Sequence, residues 1–279
     1  MKYFSKFGFI FVAAFIGIFN ANLTLAQSGY ISPYSINFSY STDSLLYDIL
    51  HTERGNPEKS ASIPYSKWYS SGWKNSTWGP QATHYSYPEI INGKSIDWIR
   101  QRIIAVAETY IGYGYQHHHV PYWDPPADFK WSKTCMHKNG KGFDCSNFTA
   151  FVYNIGLGVK LVSNTVKQSK DFNLSAESRG IIHSAQRISR PATYEDFVST
   201  FQPGDLLFIR TWKGGVSHVV IWVGSIGNSP DNVPLIIDSH GSEVVDANGK
   251  HIPCGVHIRP FKNGSWYFER MSHGMRIIQ

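Results

Sequence analysis

Two short runs carry side chains that could do covalent chemistry together. In Gly142-Phe143-Asp144-Cys145-Ser146-Asn147-Phe148 a cysteine opens a segment whose apolar residues Phe148, Phe151, Val152 and Ile155 recur at helical spacing. A helix N-terminus offers free N–H groups and a positive dipole end, so a thiol there is pushed towards the nucleophilic thiolate. In Val216-Ser217-His218-Val219-Val220-Ile221-Trp222-Val223-Gly224 a histidine sits in a β-branched, apolar run that predicts a buried strand, a rigid mount for a general base. Taken singly, a buried cysteine is usually a packing residue and a strand histidine usually a satisfied one. Together Cys145 and His218 are the minimum kit for acyl transfer through a thioester.

Other elements must hold the pair in place. Ser95 caps a predicted helix with apolar face Ile96, Ile99, Ile103, Val106 and Tyr110. The segment 116–141 contains Pro121, Pro125 and Pro126 and lacks periodicity, so it reads as a long functional loop with Trp123 and Trp131 available as a cleft wall. Gly156 and Gly158 break the nucleophile's helix, and 159–203 reads as a polar connection with a short helix near 194–200. Strands are predicted at 206–210, 216–223, 235–238, 256–260 and 266–270. A helix-borne nucleophile on an antiparallel sheet is an α+β arrangement. Residues 27–95, rich in turn formers, show no sustained period and read as an arm wrapping or flanking a catalytic domain at 96–279.

Composition narrows the classes. The 279 residues carry 26 Lys+Arg against 20 Asp+Glu, and the resulting charge of +6 is spread without the basic block expected of a nucleic-acid binder. Residues 1–26 read as an export signal, with Lys2 and Lys6, an apolar core at 7–19 and Thr24-Leu25-Ala26 before Gln27; the core is too short for a stable membrane span. A periplasmic or secreted location follows. His117, His118 and His119, with Cys135 and His137, invite a metal reading, but three consecutive histidines cannot all point at one ion, so neither metal nor cofactor is expected.

The runs around Cys145 and His218, with Pro203-Gly204-Asp205-Leu206-Leu207-Phe208 between them, resemble the signature blocks of the NlpC-type papain-like cysteine peptidases, which act on bacterial cell-wall stem peptides. The resemblance implies an amide hydrolysis in which His218 activates Cys145, backbone N–H groups at the helix start hold the oxyanion, and Tyr115 assists. It also implies a polar residue on the next strand to orient His218. In Leu235-Ile236-Ile237-Asp238-Ser239-His240-Gly241 both Asp238 and His240 share a strand face, with Asp238 favoured because a carboxylate best stabilises an imidazolium. Asp144, Ser146, Ser217 and Trp123 complete the expected oxyanion and substrate side. The Tyr110-Ile111-Gly112-Tyr113-Gly114-Tyr115 block fits less closely, with Gly114 where proline is usual and Gln116-His117-His118-His119 in place of the aromatic-Gly-Gly continuation. If Cys145 stays reduced, an odd cysteine count in an exported chain leaves Cys135 and Cys254 as a pair, the alternative being three free thiols. An amidase cutting between sugar and peptide, an acyltransferase and a non-catalytic wall-binding protein are the competing readings, the partner in each case being a wall peptide or muropeptide.

Overall fold

The computed structural model describes residues 29–70, 78–124, 141–174, 184–242 and 244–279. Its centre is a six-stranded sheet of β1 (Gln186–Ser189), β2 (Leu206–Arg210), β3 (Val216–Trp222), β4 (Leu235–His240), β5 (Gly255–Pro260) and β6 (Met271–Arg276). The spatial order is β5-β4-β3-β2-β6-β1, with every pairing antiparallel. Side chains alternate across a strand, and here both faces are covered, which is why the strand sequences run apolar without polar alternation. Phe208, Val219, Ile221, Leu235 and Ile237 pack on one face against helices α2 (Ile96–Glu108) and α3 (Cys145–Leu157). Leu207, Ile209, Val220, Trp222 and Ile236 pack on the other, with Phe197 of α5 (Glu195–Thr200) and Tyr267 and Phe268 of α6 (Trp266–Arg270).

The α+β class expected from the sequence is the one observed, and several elements differ from expectation. The predicted strand at 266–270 is α6, because Ser265 accepts from the Phe268 N–H as an N-cap; the strand starts at Met271. Helix α3 runs through Gly156, where a Cβ would stand 2.8 Å from Ile103 Cδ1, so glycine there serves close helix packing. It ends at Gly158, whose φ of 70° is the left-handed C-terminal turn that favours glycine. The polar connection contains β1, an edge strand with only Ile188 buried.

The described residues between 29 and 95 include regular structure. Ser41 caps α1 (Thr42–His51), and Leu45 and Leu46 enter the same core as Ile103 and Val106. Buried Arg102 reaches Asp48 at 2.8 Å, and Arg54 Nε donates to the Ile155 carbonyl at 2.6 Å, so this region braces both central helices. Residues 1–28, including the predicted export signal, lie outside the described residues, as do Trp131, Cys135 and His137. No described helix is long and apolar enough to cross a membrane.

Candidate active site

Cys145 is the first residue of α3 and is 3% exposed. Asp144, in extended conformation, caps the helix by accepting from the Asn147 N–H at 2.8 Å. The first-turn N–H groups have no carbonyl four residues back, so those of Cys145 and Ser146 have no partner within the helix and could serve a developing oxyanion. The strand entering the helix is held hard. Gly142–Phe143 pairs in parallel with Gly114–Tyr115, so close that a Cβ on Gly142 would lie 2.1 Å from the Gly114 carbonyl oxygen. The Phe143 carbonyl accepts from Gln116 N–H at 3.0 Å and from Ser239 Oγ at 2.7 Å, tying the nucleophile's approach to β4.

His218 enters from β3, beside a bulge where the pairing with β2 shifts between Ile209 and Arg210. Its Nε2 lies 2.6 Å from Asp238 Oδ2. Burial alone would depress this imidazole, but the charge that Cys145 carries when ionised and the hydrogen bonds to Asp238 and to Cys145 outweigh it and hold the ring's pKa up at about 9. Asp238 is itself fully buried, which opposes its charge. The Arg259 guanidinium, with Nε 3.0 Å from Oδ1, and the His218 hydrogen bond override burial and keep the carboxyl well below the usual range. The Arg259 N–H is not aligned on that oxygen, so the contact is an ion pair more than a hydrogen bond. The Tyr267 hydroxyl donates to Oδ2 at 2.8 Å, and Arg259 Nη2 is pinned by the carbonyls of Pro253 at 2.9 Å and Gly255 at 3.1 Å.

The other expected residues divide. Asp238 and His240 share a face, but only Asp238 touches the His218 ring nitrogen; His240 Nδ1 turns to the Ser242 carbonyl at 2.8 Å while its ring packs edge-on to His218 at 4.9 Å. Tyr115 is brought near the site, and burial, followed by the charges of Cys145 and Asp144, pushes its hydroxyl far up, so it remains a donor. Ser146 Oγ is spent on Asp144 Oδ1 and the Ser163 carbonyl, at 3.1 and 3.0 Å. Ser217 offers its carbonyl to the Cys145 thiol at 3.9 Å. Trp123 does not wall a cleft: it is 1% exposed, packs with Trp68 and Val120, and donates to the Trp68 carbonyl at 3.2 Å. Cys145 is a free thiol and Cys254 is disulfide-bonded; its expected partner Cys135 lies outside the described residues.

The sequence reading passed over three participants. Thr165 Oγ1 lies 3.6 Å from Cys145 Sγ, and the signal for it was the Asn164-Thr165 pair that starts the short helix α4 (Thr165–Gln168). Arg259 was visible as a lone cation in an apolar strand, a pattern that demands a buried anion. Tyr267 was hidden by the misplaced strand. The histidine run does not converge on a point. His117 Nδ1 contacts Asp144 Oδ2 at 3.1 Å, His119 Nδ1 contacts Asn147 Oδ1 at 2.9 Å, and His118 is buried against Trp123. Among the described residues no group of three or more potential ligands could hold a metal ion.

A buried cysteine at a helix start, a buried imidazole on a sheet and a carboxylate behind it define a cysteine-histidine site on an α+β scaffold. The NlpC/P60 family model matches residues 128–271, half of the chain, and the chain belongs to that family. Among solved structures it is similar to an NlpC/P60 family protein from Bacillus cereus, at 20% identity over 64% of this chain and 40% of that one, with a TM-score of 0.36. It is also similar to the NlpC/p60 domain of the peptidoglycan hydrolase SagA, at 24% identity over 63% of this chain and 96% of that one, TM-score 0.32. NlpC1 from Trichomonas vaginalis matches at 17% identity, 64% and 44% coverage, TM-score 0.33. This chain thus spans less than half the length of the first and third of these. Curated proteins gave no match.

Proposed function

We propose that this protein is an exported cysteine peptidase that hydrolyses an amide bond in bacterial cell-wall stem peptides. The observation that carries the reading is the contact of His218 Nε2 with Asp238 Oδ2 at 2.6 Å in an imidazole that also hydrogen-bonds the helix-borne Cys145. Family membership supports the substrate class, in keeping with the peptidoglycan hydrolase among the similar structures.

In this mechanism His218 holds the proton of Cys145, leaving a thiolate at the positive end of α3. The sulfur attacks the carbonyl carbon, and the oxyanion forms against the N–H groups at the helix start with Tyr115 as a further donor. The His218 imidazolium returns its proton to the leaving amine, whose departure gives the thioester. Water, deprotonated by the now neutral His218, attacks the thioester, frees the carboxylate product and restores the thiol. Asp238 fixes the ring orientation throughout and offsets its charge. Arg259 and Tyr267 position Asp238.

The test is digestion of purified cell wall with identification of the new termini by mass spectrometry. A new amine within the stem peptide is expected, together with loss of several orders of magnitude in Cys145→Ala, a variant that leaves little cavity and keeps the fold. A freed lactyl group would assign an amidase and a transferred acyl chain an acyltransferase. Activity of Cys145→Ala within about tenfold of the parent would rule out the covalent route.

A further inference from the structure

Beside the catalytic imidazole lies a pocket of about 430 Å³ that the mechanism does not use. Trp212, Trp266 and Tyr267 supply aromatic walls, Val245 an apolar edge, and Ser242 and Ser265 polar groups. His240 also lines it, with Nδ1 already engaged by the Ser242 carbonyl, so Nε2 is the ring nitrogen left for a ligand. The pocket adjoins the chemistry: the Trp266 ring centroid is 5.6 Å from that of His218 and 5.8 Å from that of His240.

Its chemistry selects an occupant. The volume is that of a small-molecule site rather than of a single side chain. Trp212 is 72% exposed, an unusual state for so large an apolar group, and Arg270 covers one face of the indole at 4.0 Å from the ring centroid. Among the described lining residues the one full charge, Lys262, is paired with Asp231 at 3.1 Å. A carboxylate of a stem peptide would therefore have to draw Lys262 from Asp231, or Arg270 from the indole and carbonyl of Trp212 that it already engages. A pyranose ring is neutral, presents a C–H face that the negative face of an indole attracts, and carries hydroxyls at its edge for Ser242, Ser265 and His240 Nε2.

Resting on the peptidase reading above, we propose that this pocket holds a neutral pyranose ring of the substrate, so that the enzyme acts on stem peptides still attached to their sugar. The binding energy is collected away from the reacting bond and lowers KM for the glycan-linked peptide.

The experiment compares a synthetic stem peptide with and without its attached disaccharide, and in parallel titrates Cys145→Ala with a trimer of N-acetylglucosamine while following tryptophan fluorescence. Expected are a kcat/KM at least about tenfold higher for the sugar-bearing peptide, expressed in KM, and saturable binding of the trimer. Both are lost in Trp212→Ala and largely kept in Trp212→Phe. Equal kcat/KM for the two peptides, or a preference that survives Trp212→Ala, overturns the pocket assignment while leaving the peptidase intact. If neither peptide is cut, the peptidase reading fails by itself and the titration decides the pocket: saturable binding lost in Trp212→Ala sustains it, and no saturable binding up to about 10 mM trimer overturns it.

Discussion

Two fully enclosed histidines in this chain are driven in opposite directions. His218 is surrounded by Cys145 and Asp238 and its pKa is held up at about 9; His118, whose two ring nitrogens have no hydrogen-bond partner among the described residues, is pushed by burial, and then by His117 and His119, down to about 3. Burial acts on both alike. What separates them is the partner: the Cys145 sulfur and the Asp238 carboxylate in one case, the edge of Trp123 in the other. The site invests its charges on the side of β3 and β4 and leaves the 117–119 loop to packing and to Asp144.

Removing the anion gives the largest test of that contrast. Asp238→Asn is expected to lower kcat by two to four orders of magnitude while the protein stays folded, because His218 loses both its orientation and its counter-charge. His240→Ala should cost less than about tenfold, since its ring packs against His218 without bonding it. Side-by-side kinetics on one wall peptide would reverse the assignment of the orienting residue if the His240 variant were the crippled one.

Arg259 supplies the next effect. Arg259→Met strands a fully buried carboxylate, and a loss of about 3 kcal/mol in denaturant unfolding is expected. A near-neutral result would mean that Asp238 is held by Tyr267 and His218 alone.

The pH profile follows the two imidazoles separately. For His218 the folded pKa lies above the ordinary 6.5, so its contribution to stability is complete below 6.5 and is lost as pH rises through about 9. Loss of the imidazolium that protonates the leaving amine gives kcat/KM an alkaline limb near the same value, and Asp238→Asn should move that limb to lower pH. His118 runs the other way. Its folded pKa lies below 6.5, so the unfolded chain takes up the proton first and stability falls as pH drops from 6.5 towards 3. His118→Leu should abolish that slope, a difference of about 2 kcal/mol at pH 5. Parallel unfolding curves for parent and variant between pH 7 and pH 5 would show that His118 is not the group responsible.

Much of the site was legible because its signals are local. A cap residue, a cysteine and a helical repeat are contiguous at 144–155, and an apolar run announces β3 around His218 wherever the strand sits in the sheet. The N-terminal region shows the limit. Helix α1 has its cap at Ser41 and its buried pair Leu45-Leu46 within one turn, a pattern too short to stand out from turn-rich surroundings. The 266–270 segment failed for a related reason: consecutive aromatics suit a strand by propensity, and the Ser265 cap decided for a helix.

From its order of residues alone this chain specifies a cysteine at a helix start, a histidine on a buried strand and a carboxylate two residues before a second histidine. These are matters of period and spacing, which the backbone imposes within one element. Only the tertiary structure shows which of Asp238 and His240 meets the His218 ring nitrogen, because the register of β3 against β4, Ile221 opposite Ile237, runs His240 level with His218, and the ring reaches diagonally to Asp238 instead. It also placed Arg259 and Tyr267 behind Asp238 and buried Trp123 away from the cleft. Each of these joins residues far apart in the chain, and such contacts exist only once the sheet and its helices have closed the distance.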